Sequence, residues 1–188
     1  MEIQKLTYVS LFAALMGVLG LLPAIPLGFT PVPITTQTLG VILAGSVLGA
    51  RIGPKYAAYS QMLFLLLVAA GLPLLSGGRG GLGVFLSPSG GYLISYIAGA
   101  YVIGYLCYNM KEANLFKLLL ANVVGGMAVV YLFGIPFQAM MMNISIWEAF
   151  IVNLAFLPGD FTKVMIGSLL AIKLQKAIPL LKEEVKAA

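Results

Sequence analysis

Charged residues divide this chain into apolar runs long enough to cross a bilayer. No charge occurs from Tyr56 to Gly78, from Gly80 to Met110, or from Leu118 to Trp147. A spanning helix needs about 20 mostly apolar residues, so these runs hold spans, with turns inside the longer ones. The pattern predicts helices over residues 6–22, 34–50, 56–75, 92–109, 117–133 and 160–176. Pro23 and Pro26 end the first, and the proline-rich stretch 24–33 cannot be helical throughout. Arg51-Ile52-Gly53-Pro54-Lys55 reads as a tight basic turn, and 110–116 as a short polar one.

Residues 135–157 are apolar enough for a seventh span. Two features argue against it. Ser145-Ile146-Trp147-Glu148 fits a capping box, which would start a helix in mid-span. Trp147 and Glu148 also suit the membrane–water boundary. Residues 145–156 are therefore expected as an interfacial helix over the external mouth. Six spans put Lys5, Arg51, Lys55, Lys111, Lys117, Lys173, Lys176, Lys182 and Lys186 on one side, and Arg79 with Lys163 on the other. This positive-inside distribution predicts both termini in the cytoplasm. A seventh span would export the lysine-rich tail.

Composition supports an integral membrane protein. The chain is 61% hydrophobic and 9% charged, against about 25% charged residues in soluble domains. It leaves no soluble stretch long enough for a separate core, so one domain over 1–188 is expected. The net charge of +5 comes from basic residues scattered at segment ends, a pattern of membrane topology rather than nucleic-acid binding. A lone Cys107 excludes an intrachain disulfide, and the absence of histidine excludes His-based catalysis and His-ligated metal. The first segment reads as a retained span, because a charged region and small-residue cleavage site are missing.

Candidate chemistry is sparse and therefore informative. Asp160 and Lys163, three apart, share one helix face. Apart from Glu148 they are the charges between Lys117 and Lys173. Such groups cost roughly 2.5 to 3.5 kcal/mol each near a bilayer centre, which makes a functional site the default reading. A structural ion pair or a pair at the membrane surface remains the alternative. At the external end of the last span, where the orientation puts them, that cost falls and position becomes the argument.

Gly78-Arg79-Gly80-Gly81-Leu82-Gly83 matches a dinucleotide fingerprint in letters only, since no strand precedes it and no acid follows at the required spacing. No Walker loop occurs, so any use of ATP belongs to a partner. The glycine-rich run instead suits a flexible external lid. There Arg79 could clasp a carboxylate, and Ser76 is a further candidate contact. The alternative is an ordinary loop with a headgroup arginine. Gln37, within Thr35-Thr36-Gln37-Thr38, either serves a helix start or offers an amide to a ligand. Tyr92 could pack an apolar ring. Small residues four apart on the first helix, Ser10 with Ala14 and Ala13 with Gly17, permit close helix approach, within this chain or to another. Together these residues suit a small anionic molecule with an N–H-bearing ring that enters from outside. A channel would more often repeat rings of acids or carbonyls, and no nucleophile–base pair supports a membrane enzyme.

Three stretches, 30–40 (TPVPITTQTLG), 71–92 (from Gly71-Leu72-Pro73 to Gly90-Gly91-Tyr92) and Leu157-Pro158-Gly159-Asp160, together resemble the BioY family, the biotin-specific S components of energy-coupling factor (ECF) transporters. The resemblance implies an all-α, six-helix S-component fold in a prokaryotic cell membrane. It implies a binding protein rather than an enzyme, without a cofactor, that captures biotin as substrate from outside. A transmembrane coupling subunit and two ATPase subunits would complete the transporter. It also implies that Asp160 and Lys163 contact biotin, and that Ser10, Ala13, Ala14 and Gly17 form the docking face for the coupling subunit. That face departs from the strict Ala-x-x-x-Ala form, with Ser or Gly at one position of each pair. The residue reading offers both Arg79 and Lys163 as partners for the biotin carboxylate, and Arg79 in the lid is the inferred one. A different vitamin is the alternative solute, although a cationic one fits two basic groups and one acid poorly.

Overall fold

A computed structural model describes residues 2–110 and 114–177. Among the described residues the architecture is all-helical. The β-pairing consists of two isolated bridges, Ile25 to Ile34 and Leu75 to Arg79. The six long helices are α1 (Glu2–Gly20), α2 (Gln37–Ile52), α3 (Pro54–Ala69), α4 (Gly90–Tyr108), α5 (Leu115–Met142) and α7 (Leu157–Ala177). A short α6 (Ile146–Asn153) precedes the last of them. Lys111, Lys182 and Lys186, counted in the charge distribution above, lie outside the described residues.

Local chemistry explains each boundary. Gly53 at φ 118 breaks α2 from α3, and Pro54 occupies the first turn of α3, where its missing N–H costs nothing. That helix stops at Ala69, six residues before the expected end. Gly71 adopts φ 101, its amide bonds to Val68 O at 3.0 Å, and Leu72 N bonds to Leu67 O at 3.2 Å. This pair of bonds is a Schellman stop, reinforced by Pro73 just beyond it. The α5 helix differs in the other direction and runs on through Pro136 to Met142. It ends in the same motif, with Asn143 at φ 53 and Ile144 N on Ala139 O at 3.1 Å. The capping box forms as expected: Glu148 N donates to Ser145 Oγ at 3.1 Å and Ser145 N to Glu148 Oε2 at 2.8 Å. Ile146, Trp147, Phe150 and Ile151 stay exposed on α6, while Ala149 and Asn153 are buried. This outward apolar face suits the edge of a bilayer.

The α4 helix runs through the middle of the bundle. Its neighbours α2 and α5 each contain a π-helical stretch, Ala44–Gly49 and Val124–Val129. Both stretches press glycine against α4. A methyl group on Gly49 would lie 2.5 Å from Gly104 Cα, and one on Gly125 would lie 2.8 Å from Gly99 O. In lipid, close approach of small residues supplies the packing that water exclusion cannot. One hydrophobic cluster joins Met16, Phe64, Val68 and Leu75 to the face of α4 at Tyr96 and Ala100. A second joins Ile42, Ile103, Leu118 and Val164.

The small residues of α1 divide between two faces. Ser10 and Ala14 are exposed, whereas Ala13 is 2% exposed and Gly17 is also buried, with the side chain of Leu74 3.4 Å from where its Cβ would be. The four residues therefore do not share one exposed face as expected, since Ala13 and Gly17 are buried within the chain and Ser10 and Ala14 alone of the four face outward. The boundary between lipid-facing and bundle-facing strips runs between the two pairs, and Ala13 with Gly17 serves packing within the chain.

Candidate functional site

At the end of the bundle where α2, α4 and α7 begin, a pocket encloses about 600 Å³ of space free of protein atoms, its open mouth included. Its lining comes from every region near that end. Ile34 and Thr35 precede α2, Gln37 and Thr38 open it, Leu75 and Arg79 come from the 71–89 loop, and Tyr92 and Tyr96 from α4. Val130 and Tyr131 belong to α5, Asn153 and Phe156 to the α6 region, and Asp160 and Lys163 to α7.

The charged wall forms as the spacing predicts. Lys163 Nζ lies 2.6 Å from Asp160 Oδ1 and donates to Thr38 Oγ1 at 2.9 Å. Tyr131 donates its hydroxyl to Asp160 Oδ2 at 2.5 Å. The side chains of Lys163 and Asp160 are 13% and 10% exposed. Removing such a pair from water is costly unless further hydrogen bonds satisfy both ions, and Thr38 and Tyr131 supply them. An ammonium has three N–H groups, of which two are engaged, and each carboxylate oxygen keeps acceptor capacity. A donor therefore stands beside an acceptor, the complement of the N–H/C=O edge of a ring amide or urea.

Arg79 is held differently. Its loop is closed by Leu75 N on Arg79 O at 3.0 Å, and Gly77 and Gly78 turn it at φ 79 and φ 70. The guanidinium makes one hydrogen bond, Nε to Ser76 O at 3.3 Å, and among the described residues no ion pair. Its other donors are available to an anion.

The remaining expected residues have other employment. Gln37 lines the cavity, but its Nε2 donates to Leu74 O at 3.2 Å and Met16 O at 3.4 Å, fastening α1, α2 and the 71–89 loop. Tyr92 presents its ring. Its hydroxyl sits 2.7 Å from both Gln138 Oε1 and Asn153 Oδ1. Ser76 is buried, its Oγ has no hydrogen-bond partner among the described residues, and it is not among the residues lining the cavity.

Sequence reasoning missed Tyr131, Asn153 and Gln138. Gln138 donates to Thr30 Oγ1 at 3.2 Å and accepts from Asn153 Nδ2 at 2.9 Å. Gln138 and Asn153 are amides in a mostly apolar stretch that also holds Asn143, and were a usable signal. Tyr131 offered none, since a tyrosine in such a segment ordinarily reads as a boundary residue.

Comparisons with known proteins bear on the family and the fold. The profile of the BioY family matches residues 1–180. The chain belongs to the BioY family. A biotin transporter BioY of Rhizobium etli is 46% identical over 187 residues, covering 96% of this chain and 98% of its own. One of Rhodobacter capsulatus is 41% identical over 180 residues, covering 89% and 91%. A crystal structure of the S-component for biotin from an ECF-type ABC transporter superposes with a TM-score of 0.86 at 36% identity, covering 93% of this chain and 92% of that one. The six-helix S-component architecture expected of a BioY chain is therefore the observed one.

Proposed function

We propose that this BioY chain binds biotin in the cavity, as the substrate-specific subunit of an ECF-type uptake transporter whose partner subunits hydrolyse ATP. The observation that carries the reading is the likeness to the S-component for biotin over nearly the whole of both chains, with a donor and an acceptor side by side in the corresponding protein here. Binding and release change no bond in the solute, so the role is transport rather than catalysis, with biotin as substrate and no cofactor.

In this reading a ureido N–H of biotin donates to Asp160 and the ureido carbonyl accepts the remaining N–H of Lys163. The fused rings lie against Tyr92, Tyr96, Val130 and Phe156. Arg79 takes the carboxylate through two parallel hydrogen bonds. The cavity end faces the outside of a prokaryotic cell membrane and both termini face the cytoplasm. The concentration of lysine at the opposite end supports this orientation. The chain acts as one six-helix domain. Its partners are a transmembrane coupling subunit and two ATPase subunits. The coupling subunit docks on the exposed side of α1, where Leu11, Ala14 and Val18 border an apolar groove continued by Val47 and Leu174.

Titration calorimetry on the purified protein tests the reading. Saturable one-to-one biotin binding is expected, and its absence would overturn the assignment. Competition with thiamine and riboflavin separates biotin from another vitamin: displacement of biotin by either at comparable concentration would favour that solute.

A further inference from the structure

The geometry points to Tyr131 as the positioning residue that fixes the acceptor face of Asp160 and so imposes the demand for a substrate N–H. This rests on the biotin reading of the cavity and assigns a role to a residue which that reading does not use.

Tyr131 owes its direction to the π-helical stretch Val124–Val129 immediately before it. Each π turn inserts one residue into the α ladder, and one residue is about 100° of rotation. Without the insertion, the positions that follow would turn to a different face of α5. The stretch is accommodated because Gly125 and Gly126 lie against Ile103 and Ile42, where side chains would not fit.

The outcome is a carboxylate held at both ends. Lys163 grips Asp160 Oδ1 at 2.6 Å, and the Tyr131 hydroxyl grips Oδ2 at 2.5 Å. A carboxylate with one donor can swivel to suit a misfitting ligand, whereas one gripped at both oxygens cannot. A phenol has one hydrogen, so after donating to Asp160 the Tyr131 oxygen keeps only acceptor capacity. The surface beside Lys163 is thus rich in fixed acceptors. A ring nitrogen carrying hydrogen fills the remaining acceptor capacity, whereas an alkylated one leaves it unmet and sets a methyl group against a carboxylate that cannot turn away.

The test compares three ligands on purified full-length protein: biotin, desthiobiotin, which keeps both urea N–H groups, and biotin methylated on a urea nitrogen. In wild type the methylated ligand is expected to bind far more weakly than the other two. Tyr131→Phe is expected to lose roughly tenfold in biotin affinity and to narrow the biotin-to-methylbiotin ratio by a similar factor, with the biotin-to-desthiobiotin ratio unchanged. If Tyr131→Phe does not fold, Tyr131→Met, which keeps apolar bulk without the hydroxyl, is expected to narrow the same ratio. An unchanged methylbiotin ratio, or equal losses for all three ligands, would mean that Tyr131 only packs, and would overturn the inference while leaving the biotin reading intact. No biotin binding by wild type would overturn both.

Discussion

The two basic groups of the cavity are built on opposite plans. Lys163 stands on a long helix, is nearly buried, and has two fixed partners. Arg79 stands on a glycine turn, is half-buried, and has one weak backbone contact. The first arrangement is paid for before any ligand arrives. Its ions are already desolvated and aligned, so a matching polar edge loses little on binding. The second leaves most guanidinium donors without a protein partner among the described residues, so an anion can take them. A site combining both can be strict about one end of a solute and tolerant about the other.

Breaking the rigid half should have the largest effect. Asp160→Asn leaves Lys163 without its counter-charge in a buried setting, and biotin affinity is expected to fall roughly 100-fold or more. Calorimetry measures this, and a loss under about threefold would remove Asp160 from the site. Arg79→Ala is expected to cost roughly tenfold for biotin and almost nothing for biotin amide, whose carboxylate is gone. Equal losses for both ligands would assign the carboxylate to another group. Raised salt should weaken the Arg79 contribution more than that of Asp160, because exposed charges are screened more than buried ones.

Gln138→Leu removes the hub joining Thr30, Tyr92 and Asn153. It is expected to lower stability by about 1 to 3 kcal/mol, read as a fall in the thermal midpoint. Biotin affinity should fall less, since Gln138 does not line the cavity. The smallest effect is expected from Gly78→Ala, where a side chain at φ 70 costs about 1 kcal/mol. Slower biotin capture by stopped-flow, at nearly unchanged affinity, would show that the turn governs the motion of Arg79.

The rigid half was the more legible in the sequence. Asp160 and Lys163 stood out because charges are scarce in an apolar chain and three-residue spacing sets a common face. The capping box at Ser145 was readable for a similar reason, since its chemistry is local. The partners of the ion pair were harder to see. Thr38 sits 125 residues from Lys163 along the chain, and nothing local links them. Tyr131 depends on a π insertion that hydrophobic periodicity does not encode.

The true end of α3 was written in Gly71 and Pro73, but an apolar run beyond it made the helix look longer. The opposite happened at α5, where Gly134 and Pro136 resemble a stop. There Gly134 instead makes room for the ring of Tyr92. Ala13 and Gly17 have the same composition as a docking strip, and only the packing of α1 against the rest of the chain decides which strip is left outside.

Thr30, Tyr92, Gln138 and Asn153 come from four separate segments and share one set of hydrogen bonds. The Tyr92 hydroxyl has a single hydrogen and two acceptors at equal distance, so it can be handed between the amides without either heavy atom moving. Four segments are thereby tied to one another around a single phenol, which braces the wall that a ring would lie against.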